Sequence, residues 1–207
     1  MPSVSIIGAG KMGTAIGGLA VKSGAEVQIV APELDKAAAA ASSIGGTAAV
    51  LGDALTGEIV VLAVPYSAIA EVLSSYADQL ADKILVDITN PVDYTTFDAL
   101  VVPSDSSAAQ EIAAAVPGAR VLKAFNTTFV ATLTSGRMGG LPTTVLVAGD
   151  DQAAKDAVLG VVRGGGLRAM DAGSLKRARE LEAIGLLQTT LAASGKITWS
   201  GGFVVTE

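Results

Sequence analysis

Short apolar runs alternate along the chain with Ala-rich amphipathic stretches, the pattern of successive βαβ units and a parallel sheet. The runs predict strands at Val4–Ile7, Val27–Val30, Thr47–Val50, Ile59–Ala63, Ile84–Ile88, Arg120–Ala124, Thr144–Ala148 and Arg168–Asp171. Most are continuously apolar rather than alternating, as expected of strands covered on both faces. Between them the spacing predicts helices at Met12–Ser23, Glu33–Ser43, Ser67–Gln79, Ser107–Val116, Gln152–Val162 and Leu175–Gly195. Ser107-Ala-Ala-Gln110 reads as a capping box, and Asp150 with Asp151 as caps for the helix that follows them. Gly164-Gly-Gly166 reads as a plain connector into the last strand. The final segment, Ile197–Thr206, suits an edge hairpin, a docked tail or a frayed end equally well. No internal repeat or low-complexity linker interrupts the pattern. The expectation is an α/β fold with a doubly wound, mostly parallel sheet, one domain over residues 1–207, and a short helical extension with a tail from about residue 174.

Chemistry enters at the end of the first strand. Gly8-Ala9-Gly10-Lys11-Met12-Gly13 follows that strand directly and opens the first helix, the setting in which a glycine fingerprint is informative. In a Rossmann dinucleotide fold the first glycine makes the tight turn, the second admits a pyrophosphate close to the backbone, and the third lets helix and strand pack closely. The helix N-terminus then offers free N–H groups to the phosphates. The residue that reads the adenosine ribose lies about 20 positions further on, at Glu33 in Val30-Ala31-Pro32-Glu33-Leu34-Asp35-Lys36. Glu33 either accepts from ribose hydroxyls or only favours the helix dipole. Lys36 either pairs with a 2′-phosphate or is a solvated side chain. Two more segments leave strand ends where ligands sit in open α/β sheets. They are Ala63-Val64-Pro65-Tyr66 and Asp87-Ile-Thr-Asn90-Pro91-Val92, with Tyr66 read either as a ring near the nicotinamide or as cover for the next helix.

Composition narrows the chemistry. The chain contains 37 alanines and 24 glycines, and its 16% charged content lies well below the ~25% of an average domain. Low charge and the apolar stripe Ile184/Leu187/Leu191 predict a homodimer, although core packing explains that stripe equally well. The net charge of −6, with no basic run, argues against nucleic acid as a partner. Cysteine and histidine are both absent, which removes thiolate chemistry, the usual metal ligands and the commonest proton shuttle. No metal site and no side-chain acid or base are therefore expected. The apolar start gives way at once to glycines, so no secretory signal is read. No run approaches the roughly 18 apolar residues of a membrane span. The expected location is the cytoplasm.

None of Tyr66, Tyr76 and Tyr94 has a lysine four residues on, so the proton-transfer pair of short-chain dehydrogenases is missing. Dehydrogenases of β-hydroxy acids and pyrroline-type reductases complete their sites with a helical second domain, for which the 36 residues after the last predicted strand leave no room. A second redox ring laid on the nicotinamide suits that limit, because hydride passes between stacked carbons by proximity and orientation. Six blocks in order strengthen this reading: the fingerprint, Ala63-Val-Pro65, Lys83-Ile-Leu-Val-Asp-Ile-Thr-Asn90-Pro91, Val121-Leu-Lys-Ala-Phe-Asn126, Val147-Ala-Gly-Asp150 and Met170-Asp-Ala-Gly-Ser-Leu175. Together they resemble the coenzyme F420-dependent NADP oxidoreductase family, and the Asn90 and Asn126 blocks are similar to the cytoplasmic reductase domain of the STEAP metalloreductases. The resemblance implies an NADP-binding, usually dimeric oxidoreductase that exchanges hydride with a deazaflavin or flavin. It implies that Ala9 to Gly13 hold the pyrophosphate, that Val64, Asn90 and Ala124 line the nicotinamide, and that Asn126, Thr128 and Val130 face the second ring. Where the family's phosphate clamp reads Ser-Arg, this chain has Ala31-Pro32, leaving Lys36 as the matching cation; NAD and NADP both stay open. A non-catalytic dinucleotide-binding or redox-sensing module is the alternative. Reduction of a small carbonyl with Lys123 or Asp87 as proton donor is a third reading.

Overall fold

Consecutive strand residues point to opposite faces of a sheet, and here both faces are apolar. Ile6, Ile29, Val61, Val86 and Leu122 join one buried cluster, while their neighbours Ile7, Val30, Leu62, Leu85 and Val121 join another on the opposite side. The computed structural model describes residues 1–206. Its main sheet has eight strands: β1 (Ser3–Ile7), β2 (Glu26–Ala31), β3 (Thr47–Val50), β4 (Ile59–Leu62), β5 (Ile84–Asp87), β6 (Arg120–Ala124), β9 (Thr144–Gly149) and β10 (Arg168–Gly173). Their order is β10-β9-β6-β5-β4-β1-β2-β3, and every pairing is parallel except β6 with β9. The chain thus winds outward from β1 in both directions. This makes the carboxyl end of β1, next to β4, the switch point at which open α/β sheets bind ligands.

One face carries α1 (Lys11–Lys22), α2 (Leu34–Ile44), α5 (Val130–Ser135) and α6 (Gln152–Gly164); the other carries α3 (Ile69–Ser75), α4 (Ala108–Ala115) and α7 (Ala178–Ala193). Small residues set the spacing on the first face. A Cβ on Gly17 lies 2.6 Å from Ile44, and one on Gly165 lies 2.3 Å from Leu19, so the Gly164–Gly166 turn is a close-packing point on α1 rather than only a connector.

The sequence expectation for the strands holds to within two residues at each end, and four local differences have physical reasons. The helix expected over 67–79 is a short α3 flanked by 3₁₀ turns; it ends at Tyr76, whose ring is buried and whose hydroxyl accepts from Gly52 N at 2.8 Å. Between β6 and β9 lie α5 and a small hairpin, β7 (Arg137–Met138) with β8 (Leu141–Pro142), that the hydrophobic pattern does not signal. Asp151 caps α6 by accepting from Ala154 N at 2.7 Å, whereas Asp150 reaches across to Leu175 N at 2.9 Å at the foot of the last helix. Ser107 caps α4 by accepting from Gln110 N, but Gln110 answers the Ser107 hydroxyl and not its backbone. The tail forms no strand. Trp199 sets its ring edge-on to Phe129 at 4.9 Å, and Phe203 N donates to Gln188 Oε1 at 3.2 Å. No helix among the described residues is long and apolar enough to cross a membrane.

Candidate active site

The turn after β1 is shaped by what it cannot hold. Gly8 has φ +123°, and a Cβ there would lie 2.1 Å from the Ala63 carbonyl oxygen; one on Gly13 would lie 2.2 Å from the Gly8 carbonyl oxygen. These two glycines are demanded by the fold itself. Gly10 differs: a Cβ on it meets nothing within 4 Å. Gly10 is also the N-cap of α1, without a side-chain cap and without an acidic residue in the first turn. The N–H groups at this helix end therefore face open space with positive partial charge, which is what a phosphate group fits.

Two cavities meet this turn. A wide groove of about 1200 Å³ runs along α1 and is lined by Gly8, Ala9, Gly10, Lys11, Ala31, Pro32, Glu33 and Lys36. Val130, expected beside the second ring, lines this groove, together with Gly165 and Gly166. Glu33 and Lys36 form an exposed ion pair, Nζ to Oε1 at 2.6 Å. A smaller pocket of about 290 Å³ lies beyond the loop, lined by Met12, Ala63, Val64, Pro65, Tyr66, Asn90, Asn126 and Thr128. Gly13, Pro91 and Ala124 are buried and line neither cavity; Ala124 packs into the core beneath the β6 end.

The floor of the smaller pocket is held by long-range hydrogen bonds. Phe125 follows β6 with φ 63°, a conformation that strains a bulky residue, and the turn closes with Asn126 N donating to Ala124 O at 2.8 Å. This turn places Asn126 opposite Asn90. Asn126 Nδ2 donates to Asn90 Oδ1 at 2.9 Å and to Leu181 O on α7 at 2.8 Å, while Asn90 Nδ2 donates to Asn126 O at 2.9 Å. The pair fits under α7 only because residue 185 is glycine, where a Cβ would lie 2.2 Å from Asn90 Oδ1. Thr89 Oγ1 and Asn126 Oδ1, both from residues lining the pocket, are buried without a hydrogen-bond partner among the described residues. At the rim, the Tyr66 hydroxyl donates to Glu111 on α4. Burial, followed by that acceptor, pushes the phenol up to about 12.

Behind the pocket lies a fully buried charge cluster. Lys123 Nζ donates to Asp87 Oδ2 at 2.7 Å, to Thr89 O at 2.6 Å and to Glu182 Oε1 at 2.7 Å, which uses all three ammonium protons. Glu182 also accepts from Ala108 N at 3.1 Å and Ala109 N at 3.4 Å, so it caps α4 from α7. Burial raises the Glu182 carboxyl above its ordinary range, with Lys123 opposing the rise. Lys123 and Asp87 have no solvent exposure, so the reading of either as a proton donor to a carbonyl substrate is corrected: both are spent on each other and on the chain. Glu182 is a residue that sequence reasoning missed. The available signal was the helical spacing of Leu181, Glu182, Gly185, Gln188 and Ala192, which form the buried face of α7. Polar members of that face answer loop carbonyls, as Gln188 Nε2 does by donating to Thr127 O at 3.2 Å. Of the Ile184/Leu187/Leu191 stripe, Leu187 is 51% exposed while Ile184 and Leu191 are half-buried, so the stripe flanks the buried face of α7 and is not part of it.

Comparison with known proteins agrees with this architecture. Residues 3–91 match the sequence model of the family described as NADP oxidoreductase, coenzyme F420-dependent. The chain is 40% identical over 114 residues to metalloreductase STEAP3 of Rattus norvegicus, covering 55% of this chain and 22% of the relative. It is 30% identical over 132 residues to the F420-dependent NADP reductase of Methanocaldococcus jannaschii, covering 62% of this chain and 59% of that protein. The chain thus spans less than two thirds of either relative. Among solved structures, a candidate F420-dependent NADP-reductase from Arthrobacter sp. FB24 superimposes over the full length of both chains with a TM-score of 0.87 at 26% identity.

Proposed function

We propose that the chain is an NAD(P)-dependent oxidoreductase that moves a hydride between a nicotinamide dinucleotide in the wide groove and a deazaflavin such as coenzyme F420, or a flavin, at the smaller pocket. The observation that carries this reading is the sharing of one glycine turn by two cavities. Ala9 and Gly10 line the groove, while Met12 of the same turn lines the pocket with Val64, Asn90, Asn126 and Thr128. The family description and both curated relatives point to redox chemistry of this class.

The bound dinucleotide supplies the hydride. The chain's own contribution is positional: the α1 N-terminus with Ala9, Gly10 and Lys11 holds the pyrophosphate, and Ala31, Glu33 and Lys36 meet the adenosine end. Ala63, Val64, Pro65 and Asn90 support the nicotinamide, while Asn126 and Thr128 meet the second ring. Gly13, Pro91 and Ala124 act from beneath by fixing the backbone. No side-chain acid or base is required, because the two rings exchange hydride by stacking. The reading treats residues 1–207 as one dinucleotide-binding domain. It also includes a homodimer in which a second copy covers the outer α7 face around Leu187, to be checked by light scattering.

The test is anaerobic mixing of the protein with NADH or NADPH and with F420, FMN or FAD, following the absorbance of both chromophores. The expected result is dinucleotide oxidation matched by reduction of at least one ring. Dinucleotide binding with no acceptor reduced would sink the enzyme reading and leave a binding module.

A further inference from the structure

The adenosine end of the wide groove carries a charge arrangement that bears on which dinucleotide it takes. β2 ends at Ala31, and Pro32 and Glu33 lead into α2. Ala31 has no side-chain donor and Pro32 has none at all. The Glu33 carboxylate lines the groove and uses Oε1 to accept from Lys36 Nζ at 2.6 Å, leaving Oε2 for a ligand. The cations lining the groove among the described residues are Lys11, Lys22 and Lys36, and no arginine joins them. Lys11 belongs to the glycine turn, and Lys22 lies at the far end of α1, about 16 Å along the helix at 1.5 Å per residue. Lys36 is therefore the cation nearest the β2 end, and its charge is already answered by Glu33.

We infer that Glu33 makes this site select NAD(H) over NADP(H), its carboxylate accepting from the adenosine ribose hydroxyls and repelling a 2′-phosphate. The inference rests on the proposed function in taking the groove as a dinucleotide site, and it departs from the NADP of the family description. The Glu33–Lys36 pair is exposed on both sides, so holding it together is worth little in water and Lys36 is free to swing. Swinging does not rescue the phosphate. It leaves the Glu33 carboxylate uncompensated beside a dianion, with Asp35 a second acid in the same helical turn. A lysine also meets phosphate as a single point charge, without the paired donors of an arginine. A ribose hydroxyl, by contrast, finds a charged acceptor, the stronger kind of hydrogen bond.

The experiment is direct titration of NADH and NADPH, with no acceptor present, against the full chain and against Glu33→Gln and Lys36→Gln. Both side chains are exposed, so the variants should fold, and far-ultraviolet circular dichroism verifies it. The unaltered chain should bind NADH about 10-fold or more tighter than NADPH, and Glu33→Gln should close most of that gap, each 10-fold step corresponding to about 1.4 kcal/mol. Lys36→Gln should weaken NADPH binding further and so widen the gap, because it removes the cation that answers Glu33. Tighter binding of NADPH by the unaltered chain, or a ratio unmoved by Glu33→Gln, overturns the inference and leaves the proposed function standing. Failure of both dinucleotides to bind overturns the proposed function, and the inference with it.

Discussion

The wide groove and the smaller pocket meet at one turn, yet they are built in opposite ways. The end of the groove beside β2 is supplied by two short segments, Gly8–Lys11 and Ala31–Lys36, with an exposed ion pair in water, and distant residues such as Val130 and Gly165 only complete its wall. The pocket rests on groups that are far apart in the chain. Asn90 meets Asn126 and Gly185, and Lys123 meets Asp87 and Glu182, with the last pair at zero exposure. Holding a phosphate needs only backbone N–H groups and space, which a short segment supplies. Holding two rings in register needs several loops fixed against one another, which only a buried network does. Helix α7 fixes the loops here, reaching their carbonyls through Arg179 at Ser106 and Thr190 at Phe97 as well as through Gln188.

The contrast can be broken most severely at its buried side. Lys123→Met leaves Asp87 and Glu182 facing each other without a cation, and it should cost about 3–5 kcal/mol of stability by urea unfolding. A loss near zero would mean that the cluster is not charged as drawn. Gly185→Ala should cost about 1–3 kcal/mol, because its Cβ arrives 2.2 Å from Asn90 Oδ1 and overpacking is expensive. It should also slow reduction of the second ring while leaving dinucleotide affinity nearly unchanged; parallel loss of both would show that pocket and groove are one unit. Gly10→Ala is the converse. With nothing within 4 Å of the new Cβ, the melting temperature should stay the same, whereas dinucleotide affinity should fall about 10-fold, or about 1.4 kcal/mol. The smallest effect is on pH dependence. A carboxyl raised by burial binds its proton more tightly in the folded state, so stability falls as pH rises from the ordinary carboxylate range through the raised value. Glu182→Gln should flatten that slope above the ordinary carboxylate range in thermal melts.

Much of the fold is legible without coordinates. Short, mostly apolar runs mark the strands of the main sheet, and the glycine spacing marks the switch-point turn, because both signals depend on residues within one element. What escaped has a common cause. The 3₁₀ break at Tyr76 exists because its hydroxyl is bonded to Gly52, 24 residues away. The inward face of α7 is not legible from helical hydrophobicity, which nominates Ile184, Leu187 and Leu191, because the face that is buried answers backbone groups of other segments and so carries Glu182 and Gln188. Lys123 and Asp87 looked like candidate proton donors for the same reason. Their types were visible, but the third charge that pairs them lies on α7.

The amino-acid sequence by itself determined the alternation of strands and helices, the glycine turn and the absence of histidine and cysteine chemistry. These follow from side-chain periodicity and residue type, which are local properties. The tertiary structure decided that two of the three fingerprint glycines serve the fold and that Gly10 alone faces open space. It also decided that Lys123 is a buried support, and that the last helix backs the floor of the smaller pocket with a partly polar face. Such outcomes depend on which distant groups share a dry interior, where an unpaired charge or carbonyl is costly, and no reading of neighbours along the chain contains that information.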